Sequence, residues 1–195
     1  MKLTRSLILC TAVAAISSCS SLTVDTETTV KAEQGVPGGE AVRVTTLDGK
    51  VTGIDSAARE VTLVSRYGEA FKVTAGPEVR NFNQIRIGDS LRISLKENLV
   101  VRMAKPGEKL HDESYATGSR TARGAKPGAK MTETVQYVGT ITSIDAKKRK
   151  ATLRFSDGSS GSFDVRPDID LSKRHTGEKV LIRVTESLAV SMKKS

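Results

Sequence analysis

LDGKVTGIDSAAREVTLV, residues 47–64, returns as YVGTITSIDAKKRKATLR at residues 137–154. Gly49, Val51, Thr52, Ile54, Asp55, Arg59, Thr62 and Leu63 meet Gly139, Ile141, Thr142, Ile144, Asp145, Arg149, Thr152 and Leu153 at a constant offset of 90. Outward from there the correspondence runs from Leu47 to Met103 and again from Tyr137 to Met192. Phe71 and Val73 meet Phe163 and Val165; Gly88, Ile93, Glu97, Leu99, Val101 and Met103 meet Gly177, Ile182, Glu186, Leu188, Val190 and Met192. Offsets change only between elements. A unit whose length changes fall in its loops is a duplicated fold, and the repeat therefore sets the architecture of this 195-residue chain.

Inside each copy the period is two. Val61 and Leu63, Phe71 and Val73, Leu91 to Leu95, and Leu99 to Met103 alternate with polar residues, which predicts four strands. A longer strand precedes them: Leu47, Gly49 and Val51 alternate, then Ile54 falls three places on. A phase slip beside a strand glycine predicts a bulge or sharp bend. Turns at 55–59 and 145–149, at Tyr67-Gly68 and at Asp157-Gly158 join the strands as hairpins. Val79, Phe82 and Ile85 lie three apart and predict a short helical turn before the fourth strand; Ile169 and Leu171 stand there in the second copy. The order strand, strand, strand, short helix, strand, strand is that of a five-stranded OB-like barrel, with an SH3-like barrel as the alternative. The expectation is all-β, with two tandem five-stranded barrels, residues 41–103 and 132–195.

Outside the repeats the pattern fades. Residues 19–40 are rich in Thr and Glu and read as a flexible tether, with an edge strand over Leu22 to Val30 as the rival. Residues 104–131 lack apolar periodicity, repeat the phrase Ala-Lys-Pro-Gly at 104–107 and 125–128, and read as a basic, flexible linker. On that reading the two barrels move independently. The formal net charge is +9, spread along the chain, and both cysteines precede residue 20, which rules out a disulfide within the repeats.

Residues 1–18 have the form of a secretory signal peptide: Lys2 and Arg5, then the apolar run Leu7 to Ile16, too short to span a bilayer. Ile16-Ser17-Ser18-Cys19 resembles the processing site of bacterial lipoproteins. That resemblance implies lipid attachment at Cys19, a stable membrane anchor through its acyl chains and, with Ser20 following, sorting to the outer membrane on its periplasmic face. An ordinary leader with Cys19 incidental is the alternative. Each copy also resembles a domain that recurs in uncharacterised secreted bacterial proteins. Its marks are Ile54-Asp55, Arg59 to Leu63 and Val79 to Asp89 in the first copy; the last block has diverged to Asp170 to Glu178 in the second. No activity follows from it.

The chemistry-bearing residues are few. Asp55 and Asp145 recur at equivalent places, but directly after a strand's last apolar residue a carboxylate caps a turn. His111 lies in the linker and His175 follows Lys173 and Arg174, so neither suits a metal; no metal and no cofactor is expected. Asn81, Phe82 and Asn83 form a candidate ligand mouth, the rival account being that Asn81 caps the short helix and Phe82 plugs the core. Lys147, Lys148, Arg149 and Lys150 crowd one hairpin and are a candidate anion-binding patch, against which stands plain solvated surface. The reading that best fits is a non-enzymatic envelope lipoprotein, a binding or scaffolding module for an anionic envelope polymer or a protein partner. Nucleic-acid binding is the alternative, suggested by OB-like barrels and a pI near 9.7; export and only four Phe and three Tyr argue against it. A hydrolase of envelope polymers would need a paired acid and base or a nucleophile, and no such constellation is visible.

Overall fold

The structure, a computed structural model, describes residues 22–76 and 79–194. Cys19 and the signal peptide lie outside the described residues. The fold is all-β. The first copy supplies β1 (Asp25–Lys31), β2 (Gly38–Asp55), β3 (Glu60–Ser65), β4 (Ala70–Thr74) and β5 (Ser90–Met103), with a 3-10 turn at Phe82–Gln84. The second supplies β6 (Glu113–Arg120), β7 (Gly128–Asp145), β8 (Lys150–Arg154), β9 (Ser160–Asp164) and β10 (Lys179–Lys193), with a 3-10 turn at Leu171–Lys173. All pair antiparallel in one open sheet, β4-β3-β2-β5-β10-β7-β8-β9, while β1 adds to β2 and β6 to β7.

One sheet, rather than two barrels on a flexible linker, follows from β5 and β10. Residues 91–95 and 99–103, expected as two strands, form a single strand through Lys96-Glu97-Asn98, and β10 does likewise through Thr185-Glu186-Ser187. Neither tripeptide has the Gly or Pro a hairpin needs, and the apolar phase is unbroken across it, since Leu95 and Leu99 are an even number apart. β5 and β10 then pair along their whole lengths, from Ser90↔Lys193 to Met103↔Val180. Glu97 faces its own repeat equivalent, Glu186, so a pseudo-twofold axis passes between them.

The tether and linker stretches each carry a strand, and in the tether it falls where the rival expectation had an edge strand, over Leu22 to Val30. Asp25–Lys31 is a strand on β2 and Glu113–Arg120 a strand on β7. Their sequences lack alternation because they have no buried face: β6 is exposed at every position and β1 at all but one. Backbone pairing to the long strands β2 and β7 holds them, and in β1 Asp25 also accepts from the Tyr67 hydroxyl and pairs with Arg66. The predicted phase slip is present in both copies, as register shifts between Val51 and Gly53 and between Ile141 and Ser143.

Each half has its own core on the same face of the sheet. Val51, Leu63 and Phe71 are almost wholly buried in the first, with Phe82 and Ile85 of the 3-10 turn laid over them. Met192 and Val190 from the end of β10 complete that core, and Val101 and Met103 from the end of β5 pack against Ile141, Leu153 and Val180 in the other. Each copy therefore finishes the core of its neighbour. At about 25 cal/mol per Å² of apolar surface, the loss of either strand end would be felt in the opposite half.

The hairpin tips make the same exchange. The β6–β7 tip reaches the first copy, where the Asn81 side chain donates to the Ala122 carbonyl (2.7 Å) and accepts from the Gly124 amide (3.1 Å). Lys126 donates to the Gln84 carbonyl at 2.7 Å and pairs with Asp89. The β1–β2 tip reaches the second copy, where Arg166 donates to the carbonyls of Glu33, Val36 and Gly38, and Asp168 accepts from the Gly35 amide. Gly38 has φ +105°, and a Cβ there would lie 2.1 Å from the Val101 carbonyl oxygen, so only glycine lets this hairpin join β5.

Candidate ligand cavity

The β6–β7 strap leaves a space between itself and the first core. This cavity of about 500 Å³ is lined by Val61 and Val73 of the β3–β4 hairpin, by Val79, Phe82 and Ile85, by Leu91 and Ile93 of β5, by Leu188, Val190 and Met192 of β10, and by Met131 of β7. Gly118 to Thr121 and Pro127 to Ala129 of the strap form the far wall. Register explains the apolar lining. Ile93, Val190, Ala129 and Arg120 stand opposite one another across β5, β10, β7 and β6, and Leu95, Leu188, Met131 and Gly118 form the next row, so all face one side. Two small residues, Ala129 and Gly118, sit where the strap closes over the space.

Two arginines stand at the rim, Arg80 in the loop after β4 and Arg120 at the end of β6, and both are exposed. No Asp or Glu is among the described residues of the lining. The Lys130 backbone borders the cavity, but its register beside Ser119 and Ala189 turns its side chain to the opposite face. Phe82 separates this cavity from a shallower cleft of about 540 Å³ at the end of the sheet, lined by Ile54, Ser56, Asn83, Ile85, Arg86 and Ile87.

The strap is held by an ion pair that is largely out of water. Asp89 is 2 % exposed, and its carboxylate accepts from the Arg86 amide at 2.7 Å and pairs with Lys126. Burial pushes this carboxyl up, but the hydrogen bonds from Lys126 and Arg86 and their charges outweigh it, so its pKa lies below the ordinary value. On the outer face, Arg102 grips Glu108 with two bonds of 2.7 and 2.6 Å, and this, with the Lys105 amide, pushes the Glu108 carboxyl down to about 2.

The candidate mouth residues Asn81, Phe82 and Asn83 divide three ways. Asn81, in the left-handed region at φ 63°, precedes the 3-10 turn but spends its side chain on the strap rather than on a cap. Phe82 is buried and borders both spaces, and Asn83 faces the shallow cleft. The four-residue basic hairpin is also divided. Arg149 turns inward and donates to the carbonyls of Arg166 and Ile169. Lys150 bonds Asp164 at 2.7 Å, Lys148 lies 3.9 Å from Asp145, and Lys147 is exposed. The cluster thus presents less positive charge than four consecutive cations suggest. Asp55 and Asp145 accept from the amides of Ala57, Ala58 and Lys148 and hold their turns.

His111 offers its carbonyl to Gln136, and the His175 amide donates to Glu178. Among the described residues no group of three or more His, Cys, Asp and Glu is placed to hold a metal ion. The cavity itself was not read from the sequence, because its strap looked like linker. The signal was the unbroken phase of Leu91 to Met103, which extends the apolar face past the first core. Compared with family models, curated proteins and solved structures, the chain shows no match.

Proposed function

We propose that the protein is a non-enzymatic envelope lipoprotein, anchored through Cys19 to the periplasmic face of the outer membrane, whose sheet serves as a binding module. The cavity under the β6–β7 strap carries this reading. It joins an apolar interior to a polar rim, which is the make-up of a binding site rather than of a reaction centre. Among the described residues of the lining, the titratable side chains belong to Arg80, Arg120 and Lys130, and no acid–base pair is found among these. The OB-like or SH3-like form of each half belongs to the same proposal: an occupant lying along the open side would complete the enclosure that the sheet leaves unfinished.

The anchor is tested by Cys19→Ala, which should abolish uptake of labelled fatty acid and release the protein from membranes. The binding role is tested by a photo-crosslinking amino acid placed at Met131, which borders the cavity, and at Tyr67, an exposed hairpin residue outside it. Irradiation of intact cells should give envelope adducts at Met131 and not at Tyr67. An identical pattern at both positions would contradict a site in the cavity. The two exposed lysines Lys147 and Lys148 support only a weaker second reading, salt-sensitive attraction to anionic envelope polymers.

A further inference from the structure

We propose that the outer face of the first half, where Lys50, Lys96, Lys130 and Lys193 stand, lies on the anionic phospholipid surface of the membrane that holds the Cys19 anchor. The proposal rests on the lipoprotein reading and adds how the sheet meets its membrane. Three residue steps separate Cys19 from Leu22, and they span at most about 11 Å. Leu22 packs against the first core, and the Thr23 amide and hydroxyl both donate to the Glu69 carboxylate, at 2.9 and 2.8 Å. The chain is thus fixed to the β3–β4 turn almost at the anchor, which holds this end of the sheet close to the bilayer.

Register gathers the lysines. Lys50, Ser90 and Lys193 stand opposite one another across β2, β5 and β10; Lys130 on β7 and Lys96 on β5 follow on later rows of the same face, the one opposite the first core. All four are exposed, and among the described residues none has a carboxylate partner. On these rows Asp25 and Asp48 are matched by Arg66 and Arg92, which leaves Glu27 of β1 against the four lysines. Tyr67 belongs to the turn and not to this face: its hydroxyl donates to Asp25 and its ring lies under the Arg66 guanidinium.

The second half has no such face. At the places of Lys50, Lys96, Lys130 and Lys193 it carries Thr140, Thr185, Glu40 and Ala104. Its own cations there are Lys179, Arg102, which is bound to Glu108, and Arg183, which is bound to Gln136. The four lysines therefore belong to the copy beside the anchor, and the shared fold does not require them. Spread over a flat sheet on long, flexible stems, they match an array of headgroups rather than a single ligand.

The test uses the released Cys19→Ala chain, which carries no acyl group, and cosedimentation with vesicles. The chain should bind vesicles of equal parts phosphatidylglycerol and phosphatidylcholine at low salt, release at high salt, and leave pure phosphatidylcholine vesicles unbound. Lys50→Ser and Lys193→Ser should each weaken binding about fivefold, whereas Lys147→Ser, which removes the same charge from the β7–β8 hairpin, should change it less than about twofold. In the acylated protein, a nitrobenzoxadiazole label should be quenched by lipid with a nitroxide headgroup at Lys50→Cys and not at Thr140→Cys. No binding to anionic vesicles, equal loss from Lys50→Ser and Lys147→Ser, or equal quenching at both labels would overturn the proposal. Binding to soluble poly-L-glutamate as tight as to vesicles would assign the face to a soluble polymer and overturn it too. Absent fatty-acid labelling of the unsubstituted chain would remove the anchor alone, because the vesicle measurements need no acyl group.

Discussion

Arg59 and Arg149 show how one residue type is used twice with unequal completeness. Both sit in the left-handed region, at φ 52° and 51°, and both point into the loop before the last strand of their copy, β5 for Arg59 and β10 for Arg149. Arg59 donates to the carbonyls of Ala75, Gly76 and Val79 and lies 5.0 Å over the Phe82 ring. Arg149 reaches only Arg166 and Ile169, and its Nε is buried without a partner. Hydrogen bonds to a charged group contribute roughly 1.5–3 kcal/mol each and are not additive. Arg59→Met should therefore cost about 3 kcal/mol in urea unfolding and Arg149→Met about 1–2 kcal/mol; equal losses would show that the extra carbonyl and the ring contribute nothing. Gly49 is a second such case. A Cβ there would come within 2.9 Å of the Phe71 ring, and Gly49→Val should cost about 1–3 kcal/mol by overpacking, measured the same way. The repeat alignment made both residues visible in the sequence. Their partners were not, because loop carbonyls carry no sequence mark.

At the scale of elements, the strap is the part that sequence reasoning lost and the part most open to test. Glu113–Arg120 shows no alternation because it buries neither face, so period-two reading has nothing to detect. By contrast β3, with Val61, Leu63 and Ser65 all buried, was legible at once. The strap's hold on the first copy depends on Asp89 remaining ionised beside Lys126. The folded pKa of Asp89 is lowered, so its stabilising share is complete above the unfolded value of about 3.9 and is lost as the pH falls through the lower folded value. Hydrogen exchange at the Gly124 amide, corrected for its intrinsic pH dependence, should accelerate only in that acid window. Lys126→Met leaves a buried carboxylate without its cation, which costs roughly 3 kcal/mol, and should speed the same exchange at neutral pH; an unchanged rate would show that Asn81 alone secures the tip.

At the scale of the molecule, the two copies resemble a dimer written into one chain. A single strand pair, β5 with β10, is both the seam and the place where each half borrows core residues from the other. The duplication, the strand class and the bulges were legible because they rest on local periodicity. The seam is not legible in a reading that divides Leu91 to Leu95 from Leu99 to Met103 as two strands, although the phase on either side of Lys96-Glu97-Asn98 already argued for one. Calorimetry should accordingly show one unfolding transition for both halves rather than two. The most direct test of the shared sheet is native-state hydrogen exchange at the amides of residues 90–103 and 179–193. With partners on both edges, β5 between β2 and β10, these amides should be the slowest in the molecule and open with a common free energy in both halves. Fast exchange at the β5 and β10 amides that face one another, with the two halves opening at different free energies, would contradict the shared sheet.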